Sequence, residues 1–194
     1  MKNITTVILV AGKSSRFKSS KSKVFKELAG LPIIEHIYFK AKKISNNNIV
    51  FVCNKYNIQT LKKRFSKCKF ALQNKPKGTA DAVLSAKKFI KKNSNILILF
   101  GDVPLISLST LKKLTNNYHK NRLPGSMLVF ETKNPFAYGR VITDKNKVVE
   151  VVEELNATPE IKKISLCNAG VMICKYELLF SYIKKINNNN KNIV

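Results

Sequence analysis

The sequence has few cysteines and no long apolar run. Its four cysteines, Cys53, Cys68, Cys167 and Cys174, show no CxxC spacing, so a metal or redox motif has no support and we expect reduced thiols. The longest apolar runs, among them residues 96–100, are far below the roughly 20 residues that a membrane-spanning helix needs. The N-terminal region has no cleavage site of the signal-peptide kind. We therefore expect a cytoplasmic protein.

Acidic residues and arginines are also scarce, although the net charge is +25. Only four of the 36 basic residues are arginines: Arg16, Arg64, Arg122 and Arg140. Lysine and asparagine are abundant throughout, which a bias toward A/T-rich codons would produce. The alternative is that the positive charge binds an anionic ligand. We find no RNP-like aromatic motif and no basic helix, so a nucleic-acid-binding domain is only a distant alternative that rests on charge.

Short apolar runs alternate with helical stripes over the first 120 residues. Strands are predicted at residues 7–10, 49–53, 70–72 and 96–100. Helical spacing follows each strand: from Pro32 to Ile44, from Ile58 to Phe65, from Ala82 to Ile90, and from Leu108 to Tyr118 with Ser107 as N-cap. This order predicts an α/β fold of Rossmann-like type, with a mainly parallel sheet covered by helices on both faces.

The pattern changes after Pro124, where several short β-type runs follow one another. They cover residues 127–130, 140–142, 148–152 and 171–174, and a final helix is expected near residues 176–186. We expect one domain over residues 1–194, with a first part at 1–123 and a smaller β-rich part at 124–194. The polar tail 187–194 resembles a loop, so we expect an incomplete C-terminus, and a frayed natural end is the alternative.

A polar loop follows the first strand in the segment LVAGKSSRF, residues 9–17. Ligands of open α/β sheets bind beyond the carboxyl ends of the strands. The loop can turn its backbone N–H groups toward phosphate oxygens, and Arg16 can bind a phosphate through two donors. Neither a Walker P-loop nor a GxGxxG fingerprint fits, because Val7 and Ser14 occupy the positions where glycine is needed. A flexible polar loop is the alternative.

Three further positions carry candidate ligands for a phosphate compound. Lys23 follows the loop at a short distance in sequence, and Asp102 comes directly after the buried run 96–100. A carboxylate at a strand end can hold a hard cation such as Mg²⁺, although a turn aspartate before Pro104 is the alternative. Gln73 precedes the segment Lys77-Gly78-Thr79; its amide can pair with a nucleobase edge, and Gly78 permits close backbone approach. An ordinary helix N-terminus is the other interpretation.

These segments together resemble the sugar-phosphate nucleotidyltransferases. LVAGKSSRF matches the pattern L-x-A-G-x-x-x-R-[FM], and a closer resemblance is to the uridylyltransferase domain of bifunctional N-acetylglucosamine-1-phosphate uridylyltransferases and glucosamine-1-phosphate acetyltransferases. It runs through KSKVFKELAGLPIIEHI, LQNKPKGTADAV, LFGDVPLIS, AYGRVI, VVEELNAT and NAGVMI. The segments occur in the family's order and cover nearly the whole chain.

The resemblance implies a role for each matched position. The nucleotide would be bound by Leu9, Val10, Ala11, Gly12, Lys23, Gln73, Gly78 and Thr79. Arg16 and Lys23 would act on the triphosphate as the catalytic cations, and Asp102 would bind Mg²⁺. The sugar would be held by Gly139, Glu153 and Asn168, residue types that taken singly fit turn or surface positions.

The implied reaction joins UTP and N-acetylglucosamine 1-phosphate, and gives UDP-N-acetylglucosamine, a precursor for cell-wall polymers, and pyrophosphate. The nucleophile is already an anion, so positioning and charge neutralisation dominate and no strong general base is required. Alternatives are a CTP- or GTP-dependent nucleotidyltransferase, including a molybdenum-cofactor guanylyltransferase, and an inactive nucleotide-binding relative. The expected partners are the two substrates, and we expect no binding to membranes. We also expect self-association through segments outside this sequence.

The sequence departs from the family's pattern in three places. Pro76 stands where another glutamine is common, and Leu155 and Asn156 replace a Lys–Asp pair. The family's second metal ligand, an asparagine, belongs to a segment that follows these matches, so Asp102 is the one recognisable metal ligand here. The resemblance covers the uridylyltransferase domain alone, and we expect no acetyltransferase activity from this chain.

Overall fold

The computed structural model describes residues 3–12, 22–75 and 77–185, and it divides the chain into two units. The first unit comprises Met1–Ser126 and Ile173–Val194, and the second comprises Met127–Met172. The boundary predicted from the sequence lies instead between residues 123 and 124, and it separates a nucleotide-binding part from a sugar-binding part. That functional division stays a prediction.

A parallel sheet forms the centre of the first unit. Its strands are β1 (Ile4–Leu9), β4 (Ile49–Cys53), β5 (Lys69–Leu72) and β6 (Asn95–Phe100), arranged in the order β5-β4-β1-β6. All three pairings within this group are parallel. Every residue of β1 and β4 is buried, as continuous apolar runs in a sheet covered on both sides require.

Helices pack on both faces of this sheet. They are α1 (Ile33–Ser45), α2 (Ile58–Arg64), α3 (Thr79–Ala86), α4 (Leu108–Lys120) and α6 (Tyr176–Ile183). On one face Val7 and Leu9 share a core with Val83 of α3 and Phe180 of α6. On the opposite face the ring of Phe51 stacks against Tyr38 of α1. The predicted α/β fold with a mainly parallel sheet is confirmed.

The second unit is built from antiparallel strands. They are β7 (Gly125–Glu131), β8 (Arg140–Asp144), β9 (Lys147–Val152) and β10 (Leu166–Lys175), of which β7 and β10 extend past the unit boundaries. β8 and β9 form a hairpin through Lys145 and Asn146, whose positive φ angles of 46° and 64° suit a two-residue turn. β10 pairs with β7 and, at Cys167 opposite Arg140, with β8. A short helix α5 (Pro159–Lys162) lies between β9 and β10.

The predicted elements match the structure except at a few boundaries. Ser107 caps α4 by accepting a hydrogen bond from the backbone N–H of Thr110, as expected. Pro32 was expected in the first turn of α1, but it ends a two-residue strand, β3 (Leu31–Pro32), which pairs with β2 (Glu27–Leu28). The predicted stripe up to Ile90 is also wrong as one helix, because α3 ends at Ala86 and a 3-10 turn follows.

The four cysteines are free thiols. Burial raises the pKa of the Cys53 and Cys174 thiols to about 12 and that of Cys68 to about 11. Within the part of the chain that the structure describes, no helix has both the length and the apolar character needed to cross a membrane.

Candidate functional site

The site lies where the parallel strands of the first unit end. The residues that follow β1, β5 and β6 continue the sheet's hydrogen bonds for one more step: Val10 N–H donates to Val52 O (2.9 Å), Gln73 N–H to Cys53 O (2.8 Å) and Gly101 N–H to Leu9 O (2.9 Å). Because parallel strands share a direction, these ends lie on one edge of the sheet. The edge therefore collects the nucleotide-binding residues predicted from the sequence.

Two asparagines after β4 hold the beginning of the first loop. Asn57 Nδ2 donates to the carbonyl of Val10 (2.7 Å), and Asn54 Nδ2 donates to the carbonyl of Ala11 (3.1 Å). The two asparagines also brace each other, since each backbone N–H donates to the other's Oδ1 at 3.0 and 3.1 Å. Asn57 is 1 % exposed, so its amide is fixed in the protein interior.

The direction of these carbonyls sets the direction of the neighbouring N–H groups. In a trans peptide the C=O and the next N–H point to opposite sides, and the described chain has no cis peptide. With the carbonyls of Val10 and Ala11 bonded to the asparagines, the N–H groups of Ala11 and Gly12 point away from them. Successive N–H groups that face out of a loop form a binding site for an anion such as a phosphate.

Gly101 allows the loops after β1 and β6 to approach closely. A Cβ at this position would overlap Cγ1 of Val10, and it would lie 2.9 Å from Cδ1 of Ile34 and 3.3 Å from the carbonyl of Leu9. A side chain at position 101 would therefore displace Val10, one of the predicted nucleotide-binding residues. Sequence reasoning did not single out Gly101; its position directly after a buried strand was the available signal.

Asp102 and Lys23 form an ion pair at this edge. Lys23 Nζ lies 3.3 Å from Asp102 Oδ2, and the two side chains are 35 % and 43 % exposed. Ion pairs that are exposed to water contribute little to the stability of the fold. The importance of this pair is therefore that it keeps two charged groups at this edge of the sheet. Behind Asp102, Lys40 Nζ on α1 donates to the carbonyl of Pro104 (2.5 Å) and ties down the same loop.

The surroundings of Asp102 fit one mode of Mg²⁺ binding. Mg²⁺ is commonly held by one or two carboxylates, with waters and substrate phosphates completing its shell. Asp102 offers one accessible carboxylate at a strand end. Among the described residues no cluster of three or more His, Cys, Asp or Glu has the arrangement of a metal cage, so the protein itself supplies only part of such a shell.

Gln73 is held by the start of α3. Its Nε2 donates to Oδ2 of Asp81 (2.8 Å) and approaches the carbonyl of Gly78 (3.3 Å). Gln73 is 8 % exposed, whereas Gly78 and Thr79 are exposed. Gly78 has a φ of 91°, a conformation that favours glycine, so the predicted need for glycine has a backbone reason.

Arg16 lies outside the described residues, as do Lys13, Ser14 and Ser15 of the same loop. Their predicted roles therefore stay predictions. The described part of the loop ends at the exposed Gly12.

The second unit brings together the three predicted sugar-binding residues. The backbone N–H of Asn168 donates to the carbonyl of Gly139 (2.9 Å). A Cβ built on Gly139 would lie 3.1 Å from Oε1 of Glu153, so the glycine leaves room for that carboxylate. Asn168 Oδ1 accepts from the N–H of Gly170 (2.8 Å). The three residues come from the start of β8, the end of β9 and β10, so they are far apart in sequence and adjacent in space.

A buried ion pair supports this group. The Arg140 side chain is 2 % exposed and its Nη2 lies 2.7 Å from Oε2 of Glu154. Arg140 Nη1 also donates to the carbonyl of Tyr138, and Glu154 Oε2 accepts from the N–H of Ala137 (3.2 Å). The hydrogen bond from Arg140, followed by its charge, holds the pKa of Glu154 below its usual value. The pair therefore fixes the turn that precedes Gly139.

Asn54, Asn57, Asp81 and Glu154 were not predicted from the sequence. The first two had a signal, because they follow a buried strand as Asp102 does. Asp81 also had one, since an acid in the first turn of α3 lies close to the glutamine before it. Glu154 had none, because its role depends on its contact with the buried Arg140.

The sequence of this chain is similar to those of several known proteins. A family described as MobA-like NTP transferase domain matches residues 6–164. The chain is 36 % identical over 189 residues to the bifunctional protein GlmU of Buchnera aphidicola subsp. Acyrthosiphon pisum (strain Tuc7), and 38 % identical over 186 residues to that of Thermosipho melanesiensis. These matches cover 97 % and 95 % of this chain.

The chain spans about two fifths of the length of these curated relatives, 41 % and 40 %. A crystal structure from Bacillus anthracis, described as a glucose-1-phosphate thymidylyltransferase in complex with sucrose, superposes with a TM-score of 0.80 and 18 % identity. It is matched over 95 % of this chain and 76 % of its own length, and it supports the fold alone. The resemblance drawn from the ordered sequence motifs is confirmed.

Proposed function

Because the chain belongs to the family of MobA-like NTP transferase domains, we propose that it transfers a uridylyl group from UTP to N-acetylglucosamine 1-phosphate. The products would be UDP-N-acetylglucosamine and pyrophosphate. The observation that carries the proposal is one edge of the parallel sheet, which collects the loop after β1, the Gln73 amide after β5, and Asp102 after β6 with its partner Lys23. The relatives named bifunctional protein GlmU support it.

The loop after β1 binds the phosphates of the nucleotide. The N–H groups of Ala11 and Gly12 face away from the asparagines that hold their neighbouring carbonyls, and phosphate oxygens accept hydrogen bonds from such groups. Lys23 and Arg16 neutralise phosphate charge. Leu9 and Val10 shape the buried floor of the loop, since they are 8 % and 4 % exposed.

The base is read by Gln73 with Gly78 and Thr79 beside it. A glutamine amide can pair with the polar edge of a base, and an exposed glycine lets the ring approach the backbone. Preference for uracil distinguishes this proposal from a CTP- or GTP-dependent transferase. It also distinguishes it from a basic domain that binds nucleic acid, whose affinity would depend steeply on salt and would not respond to UTP.

Asp102 would hold Mg²⁺ through its half-exposed carboxylate. When bound, the ion neutralises phosphate charge and orients the triphosphate. Lys23 lies 3.3 Å from the same carboxylate and has to exchange part of that contact for phosphate oxygens. The two residues thus act on one ligand from neighbouring positions.

The sugar phosphate is bound by Gly139, Glu153 and Asn168. An exposed glutamate and a half-buried asparagine offer acceptors and donors to sugar hydroxyls, and the buried glycine leaves the space that they need.

In the reaction, a phosphate oxygen of the sugar phosphate attacks the α-phosphorus of UTP. The new bond joins that oxygen to the α-phosphorus, and the bond to the bridging oxygen of pyrophosphate breaks. No proton has to be removed from the nucleophile, so the residues contribute position and charge. This agrees with a site that contains a lysine, a carboxylate and backbone donors at its centre.

The first test is calorimetric binding of UTP, CTP, GTP and ATP with Mg²⁺. We expect UTP to bind most tightly, and Asp102→Asn to remove most of the increase in UTP affinity that Mg²⁺ causes. Asp144→Asn is the matched control, because it removes the same charge from the exposed end of β8 in the second unit. Equal affinity for all four nucleotides would contradict the proposal.

The second test is turnover. In the full-length gene product, Asp102→Ala and Arg16→Ala should each lower kcat by about 10²-fold or more, the effect typical of removing one electrostatic stabiliser. Unchanged turnover in both variants would exclude the assigned roles. The cytoplasmic location and any self-association stay predictions.

A further inference from the structure

We infer that Asp81 is a positioning residue that sets base selectivity by fixing which end of the Gln73 amide faces the ligand. The inference rests on the proposed function, because it assigns a second residue to the base-reading site. Asp81 lies in the first turn of α3 and is half-buried.

The orientation of Gln73 follows from its two neighbours. Asp81 Oδ2 lies 2.8 Å from one end of the side-chain amide, and the carbonyl of Gly78 lies 3.3 Å from the same end. A carboxylate and a backbone carbonyl accept hydrogen bonds and donate none. Only the NH₂ end of Gln73 can therefore face them, and the reverse orientation would bring three acceptors together.

The other end of the amide is thereby assigned. Oε1 of Gln73 points away from Asp81 and Gly78, and no donor among the described residues bonds to it. Gln73 is 8 % exposed, so turning the amide over would leave a buried donor and a buried acceptor badly paired. The side chain is thus a fixed acceptor, although glutamine in general can present either end.

A fixed acceptor discriminates between pyrimidines. Uracil carries a hydrogen on N3 and can donate it to Oε1, whereas N3 of cytosine is an acceptor and would face Oε1 with no hydrogen between them. A site built to pair with one donor rejects an analogue that lacks it, because its own polar group is then left unpaired. Asp81 would therefore exclude cytosine without contacting the base.

The test measures the ratio of UTP to CTP affinity by calorimetry with Mg²⁺ in three proteins: wild type, Asp81→Asn and Asp81→Lys. An asparagine at 81 can face Gln73 with either its oxygen or its NH₂, so the ratio should fall roughly five- to tenfold. A lysine offers only donors, so it attracts Oε1 and turns NH₂ outward, and the ratio should fall further. The added positive charge strengthens the binding of both triphosphates alike, so its effect cancels in the ratio of UTP to CTP affinity.

Asp144→Asn serves as the control for loss of one negative charge, and its ratio should equal that of wild type. A wild type that prefers UTP, with the same ratio in both Asp81 variants, overturns the role of Asp81 and leaves the uridylyl function standing. A wild type with no preference between UTP and CTP overturns both. A merely structural role for Asp81 would weaken the two nucleotides equally, which the ratio would reveal.

Discussion

Strand β1 of the first unit and strand β9 of the second differ in what surrounds them. All six residues of β1 are buried, whereas the first four of the six in β9 are exposed. β1 is flanked by parallel strands on both sides, and β9 forms a hairpin with β8. The two environments place functional residues in different ways.

In the first unit, apolar packing determines where the polar residues of the site lie. Continuous buried strands end along one edge, and whatever follows them collects there. In the second unit the position of the residues predicted to bind the sugar depends on polar contacts, above all the pair between the buried Arg140 and Glu154. We therefore expect the first region to be sensitive to changes in side-chain volume and the second to changes in charge.

The largest expected effect comes from the core of the first unit. Phe51 is fully buried in β4, and its ring contacts those of Phe65 and Phe70 with centroids 5.0 and 5.7 Å away. Phe51→Ala should lower the free energy of unfolding by about 3–5 kcal/mol, as loss of a buried aromatic side chain does. Denaturant unfolding measures this free energy. A loss below about 1 kcal/mol would contradict the expectation that the first unit is sensitive to side-chain volume.

Gly101→Ala should have the next largest effect. The added methyl group overlaps the side chain of Val10, so we expect a loss of about 1–3 kcal/mol and weaker UTP binding as the loop moves. Gly12→Ala is the control for stability, because a Cβ there meets no atom of the described residues within 4 Å. Equal stability of the two variants would show that the loop adjusts without cost.

Charge in the second unit should matter in a pH-dependent way. The pKa of Glu154 is lowered from its ordinary value of 4.5, so its charged form stabilises the folded state above that value. This stabilisation is lost as the pH falls through the folded-state pKa. The difference in Tm between wild type and Glu154→Gln should therefore be largest near neutral pH and vanish in acid. The control Glu150→Gln, on exposed β9, should show a smaller difference.

The smallest expected effect is on the exposed face of β9. Val149 is 66 % exposed, and Val149→Ala should change the free energy of unfolding by no more than about 0.5 kcal/mol. The same denaturant experiment as for Phe51→Ala gives the measurement. A loss above about 1 kcal/mol would mean that this strand is covered in solution, and it would weaken the distinction between the two regions.

The sequence predicted those features that repeat along the chain. The parallel sheet could be predicted because apolar runs alternate with helical stripes. Asp102 and Gln73 could be recognised as candidate site residues because each comes after one of the predicted strands. The nucleotidyltransferase relationship followed from the order of the motifs, and the family match confirms it. The roles assigned to individual residues stay predictions, since they depend on bound substrates.

Contacts between distant parts of the sequence were not predictable. Arg140 is 2 % exposed and pairs with Glu154, and no sequence pattern indicated this contact, which supports a turn. The β2–β3 hairpin was missed because each strand has only two residues, too few for a period to show. Pro32 suited a helical first turn by type, but its ψ of 137° makes it the cap that precedes α1.

The asparagines after β4 have a consequence for the speed of binding. Because Asn54 and Asn57 hold the carbonyls of Ala11 and Val10, this stretch of backbone reaches its final orientation during folding. If the loop binds phosphate as proposed, no peptide plane has to rotate on binding, and little conformational entropy is lost there. Under the proposed function, we therefore expect the rate of phosphate binding at this loop to depend on diffusion and charge rather than on rearrangement of the backbone.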